Sequence, residues 1–204
     1  PGWAVLVVEE YRRESGIPSV RTFIALPVAG SPVEAISAMI RDMEDAGVGA
    51  KWVDPRNMHL TLKFLGDLPR ARIQPLVDAV SRAVQGEHKF EIVLRGTGAF
   101  PSIARPRVFW VGVREGADRL TGLARSIDES TVASGFAPAD KGFRPHLTVG
   151  RAREESACTR AAGIISRNFD AMWGTVLVDC IHVVASVLKP SGPIYTSLAR
   201  IPLG

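Results

Sequence analysis

The tetrad histidine, leucine, threonine and an aliphatic residue occurs twice in this 204-residue chain, as His59-Leu60-Thr61-Leu62 and as His146-Leu147-Thr148-Val149. In a β-strand, successive side chains point to opposite faces. Both copies therefore place histidine and threonine on one face of a sheet and the two aliphatic residues on the other. Each copy follows turn signals, Pro55 to Asn57 before the first and the loop Gly135 to Gly142 before the second, and each precedes a helical pattern. A strand and helix repeated within one chain predict two related halves.

The polar face of each strand has a direct chemical meaning. A neutral imidazole accepts a proton and an imidazolium donates one near neutral pH, and a hydroxyl two residues away can donate to an anionic oxygen. Two such strands lining one groove supply an acid, a base and two oxygen-binding donors. A phosphodiester uses all four. An isolated His-x-Thr is more often structural than catalytic, and it is the duplication that favours catalysis by His59 and His146, with Thr61 and Thr148 on the phosphate.

Along the chain, residues 1–19 read as an N-terminal extension without an assigned role, in which WAVLVV could add an edge strand and YRRESGIPS is a polar linker. Residues 20–204 read as one bilobal domain. VRTFIALPV is a strand, and Ser31 as N-cap with Pro32 behind it starts a helix to about Ala46. AKWVD is a short strand before the first motif. Helices follow over Pro69 to about Val84, Ala117 to about Ser134 and Glu154 to Asn168. HKFEIVLRGTGAF and RVFWVGV are strands joined by the loop PSIARP. The run Thr175 to Leu188 and IYTSLARIPL make a final β-rich pair. Counted from the histidines, FEIVL and TVLVDC begin at matched spacing, which predicts that these strands are counterparts in the two halves. The fold class expected is α+β, a pseudo-twofold duplicated fold with two antiparallel-rich sheets and flanking helices around a central groove.

Composition excludes little but sets the frame. With 46% hydrophobic and 23% charged residues the chain has the make-up of an ordinary folded soluble domain. Its apolar runs are too short to span a bilayer, and PGWAVLVVEE lacks a basic n-region and a small-residue cleavage site, so a cytoplasmic protein with no membrane partner is expected. A net charge of +4 is compatible with a polyanionic partner. Cys158 and Cys180 are too few for a disulfide scaffold and are expected to be buried thiols.

Further substrate-binding candidates flank the motifs. Arg151 lies two residues after the second tetrad and reaches the groove only if the strand bends near Gly150. Arg144 shares the face of His146, Lys63 continues the polar face beyond Thr61, and Tyr195 could line the groove or stack a base. Phe64, Phe100 and Trp110 read as core, and His88 and His182 as structural. Neither tetrad brings a second ligand at metal-binding spacing, so neither metal nor cofactor is expected.

The paired tetrads resemble the H-x-T-x signatures of the two-histidine (2H) phosphoesterases. With RTFIALPV, KWVDPRNMHLTLKFLGD, FPSIARPRVFWVGV, FRPHLTVGR and SVLKPSGPIYTSL, the chain is similar to the RNA 2',3'-cyclic phosphodiesterases, also called 2'-5' RNA ligases, from about Val20 to Leu203. The resemblance implies a bilobal α+β fold and metal-independent hydrolysis of an RNA 2',3'-cyclic phosphate to a 2'-phosphate. It assigns His59 as proton donor to the departing 3' oxygen, His146 as the base that activates water, and Thr61 and Thr148 as phosphoryl-oxygen ligands. The motifs alone leave donor and acceptor interchangeable. Alternatives are a cyclic phosphodiesterase for a small cyclic nucleotide and a noncatalytic RNA- or nucleotide-binding module. Reversible 2'-5' joining is implied as a second direction, and a monomer is expected, since no surplus apolar helix face or heptad seam is present.

Overall fold

The computed structural model describes residues 4–5, 19–153, 157–190 and 192–204, with the backbone alone for 4–5 and 157–159. Among the described residues ten strands are seen: β1 (Ala4–Val5), β2 (Ser19–Pro27), β3 (Ala50–Trp52), β4 (His59–Pro69), β5 (Phe90–Ser102), β6 (Arg105–Val113), β7 (His146–Ala152), β8 (Met172–Val178), β9 (Cys180–Lys189) and β10 (Gly192–Pro202). Four helices accompany them: α1 (Ser31–Asp45), α2 (Ile73–Ala83), α3 (Ala117–Ala133) and α4 (Ala157–Arg167).

The strands run in the order β1-β10-β9-β2-β4-β7-β6-β5-β8, with β3 also paired to β7. Apart from the parallel β1–β10 pair, every ladder is antiparallel. The two motif strands, β4 and β7, meet at the centre through the single pair Leu60↔Leu147. Two antiparallel halves, β10-β9-β2-β4 and β7-β6-β5-β8, are thus joined into one sheet with pseudo-twofold order. The expected two sheets are these two halves, bridged by one residue pair.

One sheet face carries the helices. Ile36, Met39, Ile40 and Met43 of α1, Leu76 and Val80 of α2, Leu120 and Ile127 of α3, and Ile164 and Ile165 of α4 bury their helical stripes there. Leu60 and Leu147 are fully buried in this same core, which forces the neighbouring histidines and threonines onto the opposite face. On that face the buried residues Phe23, Ala25 and Val184 form a small apolar cluster with Tyr195 against it.

Several local expectations are corrected. The α1 cap is Gly30, at φ 76°, whose carbonyl accepts from Val33 and Glu34; Ser31 is already helical and makes no side-chain cap bond. α2 starts at Ile73 rather than Pro69, because β4 continues to Pro69 in pairing with Ser19 and a 3₁₀ turn over Arg70–Arg72 intervenes. PSIARP is mostly strand: Pro101 and Ser102 pair with Pro106 and Arg105. The run Thr175 to Leu188 divides at Asp179 into β8 and β9, which belong to opposite halves. Counted outward from the central pair, the counterpart of β5 is β9, whereas β8 pairs directly with β5, so the matched spacing does not mark equivalent strands. Cys180 is buried, and burial pushes its thiol up to about 11. The side chain of Cys158 and residues 6–18 lie outside the described residues; within the extension, Ala4 and Val5 do form the edge strand beside β10.

Candidate active site

The Leu60↔Leu147 pair fixes how the motifs face each other. Extending its antiparallel register by one residue each way sets His59 across from Thr148 and Thr61 across from His146. Four side chains thus crowd one face around the pseudo-twofold axis, each histidine beside the other motif's threonine. All four are half-buried, open on the side away from the helices.

Both imidazoles are oriented in the same way. His59 Nδ1 lies 2.6 Å from the carbonyl oxygen of Asn57, and His146 Nδ1 lies 2.7 Å from that of Arg144. A carbonyl only accepts, so each Nδ1 carries a proton and donates, which makes Nε2 the ring nitrogen through which either imidazole exchanges a proton with a substrate. The Asn57 carbonyl is itself fixed. It ends a 3₁₀ turn capped by Asp54, which accepts from the Arg56 N–H at 2.9 Å, and the Asn57 side-chain amide donates to Pro193 O at 3.3 Å.

The walls around the two rings differ. The His59 ring centre lies 5.0 Å from Phe23 and 5.4 Å from Tyr195, while His146 meets the edge of Phe100 at 5.1 Å. Burial among these rings, helped by the charge of His146, lowers the His59 pKa to about 4 against the pull of the Asn57 carbonyl. His59 is therefore neutral at pH 7.

Each motif strand contains a β-bulge at the same place. Thr61 pairs with Ala25 and Lys63 with Ile24, leaving Leu62 extra; Thr148 pairs with Trp110 and Gly150 with Phe109, leaving Val149 extra. The two residues at each bulge, Leu62-Lys63 and Val149-Gly150, all turn into the core. This overturns the expectation for Lys63. It is 3% exposed on the helix side, with Nζ 2.6 Å from Asp128 and 2.8 Å from Thr131 Oγ1, both on α3. The same bulge resolves Arg151: one position past it, the side chain is exposed on the histidine face, near Tyr195, whose hydroxyl pKa is raised by burial and only partly offset by the arginine's charge.

Of the other candidates, Tyr195 is at the site in contact with His59 and Phe23. Arg144 offers its carbonyl, and its side chain is exposed. Phe64, Phe100 and Trp110 were expected in the core and belong to the histidine face. Phe64 is 68% exposed, and Trp110 packs on Phe100 at 5.3 Å with a Cβ on Gly98 or Gly112 impeded by its ring or by backbone. His182 is structural as expected: it is buried, bonded to Ser197 Oγ at 2.7 Å, and its pKa falls to about 4 through burial first and Arg200 second. Asn57 and Phe23 escaped sequence reasoning. The first acts through its backbone, and the second lies in a strand apolar on both faces, so alternation could not orient it. Among the described residues, no three His, Cys, Asp or Glu side chains come together as a metal site, and no helix is long and apolar enough to cross a membrane.

Solved structures share this architecture. A Thermus thermophilus protein, TT0787, is 29% identical and superposes with a TM-score of 0.71 over 90% of this chain and 97% of its own. Apo LigT of E. coli, at 24% identity, superposes with a TM-score of 0.74 over 92% of this chain and 99% of its own. The fold is thus that of the LigT-type phosphoesterases. Sequence takes this further. The family described as LigT like Phosphoesterase matches residues 26–110. Proteins named RNA 2',3'-cyclic phosphodiesterase from Aquifex aeolicus and from Methanothermobacter thermautotrophicus are 32% and 34% identical over 91% and 88% of this chain, and 98% and 96% of their own length. The chain belongs to the LigT-like phosphoesterase family of the 2H superfamily.

Proposed function

We propose that the protein hydrolyses the 2',3'-cyclic phosphate at an RNA end to a 2'-phosphate, with His59 and His146 as the acid–base pair. The observation that carries this is the pair of Nδ1-anchored imidazoles, brought onto one face by Leu60↔Leu147, each beside a threonine. The phosphorus lies between the rings. His146 Nε2 takes a proton from water as the water oxygen bonds to phosphorus; the bond from phosphorus to the 3' oxygen breaks, and His59 delivers a proton to that oxygen. Thr61 and Thr148 donate to the nonbridging oxygens, and Arg151, beside Tyr195, offers a cation for the RNA backbone. Because burial holds the His59 pKa low, the negative charge of a bound phosphate favours its imidazolium, and a proton is taken up on binding. With the 5'-hydroxyl of a second RNA end in place of water as nucleophile, the same displacement of the 3' oxygen forms a 2'-5' linkage, and His59 again delivers the proton to the 3' oxygen. All four side chains come from one chain, which suits a monomer, and RNA end processing suits the cytoplasm.

The test is turnover of a short RNA ending in a 2',3'-cyclic phosphate, in EDTA, by the wild type and by His59→Ala and His146→Ala, with the product phosphate located. The expected result is a 2'-phosphate from the wild type and loss of turnover in both variants. Turnover of small cyclic nucleotides but not RNA would replace the substrate class, and RNA binding without turnover of either would overturn catalysis.

A further inference from the structure

Cations continue past Arg151 along one line. β3 takes up the pairing with β7 where β4 has left it, and Lys51 stands directly across from Arg151. Its neighbour Trp52 stacks on the buried Phe109 at 5.7 Å on the core side, so alternation puts Lys51 on the histidine face beside Arg151. Arg153 extends the same ladder, its N–H donating to Gly49 O at 3.0 Å. It therefore shares the face of Arg151 and lies about 6.6 Å further along the strand, close to one phosphate step of an extended RNA chain. Lys51 and Arg153 are both exposed, and among the described residues neither makes an ion pair, unlike Arg56, Arg95 and Arg200. Together they line an open groove of about 720 Å³, walled also by Trp52, by Glu44 at the end of α1, and by Pro190 at the tip of the β9–β10 hairpin. That volume falls within the roughly 300–1,000 Å³ of sites that hold nucleotide-sized ligands.

We infer that Lys51 and Arg153 hold the phosphates of the nucleotides that precede the terminal one, so that the upstream RNA strand leaves the site along β7 and β3; this rests on the RNA-end hydrolysis proposed above. The direction of the strand follows from the leaving group. His59 delivers its proton to the 3' oxygen, so the terminal ribose lies on the His59 side of the phosphorus. The 5' carbon of that ribose carries the phosphate of the preceding nucleotide, and the upstream chain starts from the His59 end of the centre. His59 stands across from Thr148, and from there β7 runs to Arg151 and Arg153 with Lys51 alongside. Lysine and arginine on this line meet the backbone charge and leave the base edges unread, so the upstream strand is held without regard to its sequence.

The experiment compares a nucleoside 2',3'-cyclic phosphate with a tetranucleotide RNA ending in the same group, using the wild type and the double variant Lys51→Gln/Arg153→Gln. The wild type is expected to prefer the tetranucleotide in kcat/KM. In the double variant that preference falls roughly 3- to 30-fold, the range for two solvent-exposed charged contacts, mainly through KM. On the tetranucleotide, the slope of log kcat/KM against log salt becomes shallower by about 0.7 for each cation removed. A wild type without preference for the tetranucleotide, an equal loss on both substrates, or an unchanged preference in the double variant overturns the track while leaving the hydrolysis intact. Absence of turnover by the wild type on both substrates overturns the hydrolysis and the track together.

Discussion

The two motif strands carry the same tetrad, the same bulge and the same bond from Nδ1 to the carbonyl two residues back, yet their surroundings diverge from the first shared residue outward. His59 stands behind a capped 3₁₀ turn with Phe23 and Tyr195 on its ring, while His146 leaves an exposed loop and touches Phe100. Past the bulge, the first strand has Lys63 then Phe64, and the second has Gly150 then Arg151. Gly150 is required there because a Cβ would meet the Trp52 ring at 2.5 Å. What is duplicated is the backbone geometry that aims two imidazoles and two hydroxyls. What is not duplicated is everything that tells one end of a substrate from the other.

The largest effects should come from the shared part. His59→Ala and His146→Ala each remove one proton-transfer group and are expected to lower kcat by about 10² to 10⁴ in steady-state hydrolysis. Equal burdens on both halves would confirm the duplicated role, and an unaffected variant would break it.

Next is the ion pair of Lys63, for which Gly150 in the second half has no equivalent. Asp128 accepts from Lys63 and, through the same oxygen, from the Ala139 N–H at 3.0 Å in the loop before the second motif. Asp128→Ala strands a buried ammonium and should cost about 3 kcal/mol in denaturant unfolding, whereas Lys63→Met leaves a partly solvated carboxylate and should cost about 1 kcal/mol. The reverse ranking would mean that the lysine is not the group that depends on the pair.

Smaller still is Arg151→Gln in the second half. Loss of one charged contact to phosphate predicts about a tenfold rise in KM with kcat retained, and a weaker dependence of kcat/KM on salt. A fall in kcat alone would place Arg151 in the chemical step instead.

The mildest difference is one of pH. His59 and His182 have native pKa values near 4 against an ordinary 6.5, so the unfolded chain binds their protons first. Their contribution to stability is fully present above pH 6.5, declines as pH falls towards 4, and then levels off. Unfolding midpoints measured from about pH 7 to about pH 4 should fall, and less steeply in His182→Asn. A midpoint that rises over this interval would contradict the assigned burial.

How far the sequence carried these conclusions depends on which rule governed each residue. Period-2 alternation sufficed for His59, Thr61, His146 and Thr148, because the fully buried leucines between them leave no other face. It failed at Lys63 and Phe64, just beyond the first tetrad, since a bulge adds one residue to one strand and reverses every later orientation without changing residue types. Arg151 depended on the same event. Helix stripes were legible from their spacing, but the start of α2 was not, because strand pairing of Pro69 with Ser19 overrode the helical signal. The anchoring carbonyls of Asn57 and Arg144 were invisible for another reason: any residue has a carbonyl, and only the turn aims it. The equivalence of β5 and β9 was obscured because a chain counts residues, while a sheet counts neighbours.

The most direct test of two histidines acting as one unit is the kcat of the double variant His59→Ala/His146→Ala beside both single variants on the same cyclic-phosphate RNA end. The proton-transfer pair predicts strong non-additivity, with the double variant no slower than the slower single variant within about threefold. Losses that multiply, so that the double variant is slower by the product of the two single effects, would show that the imidazoles act independently and would contradict the account.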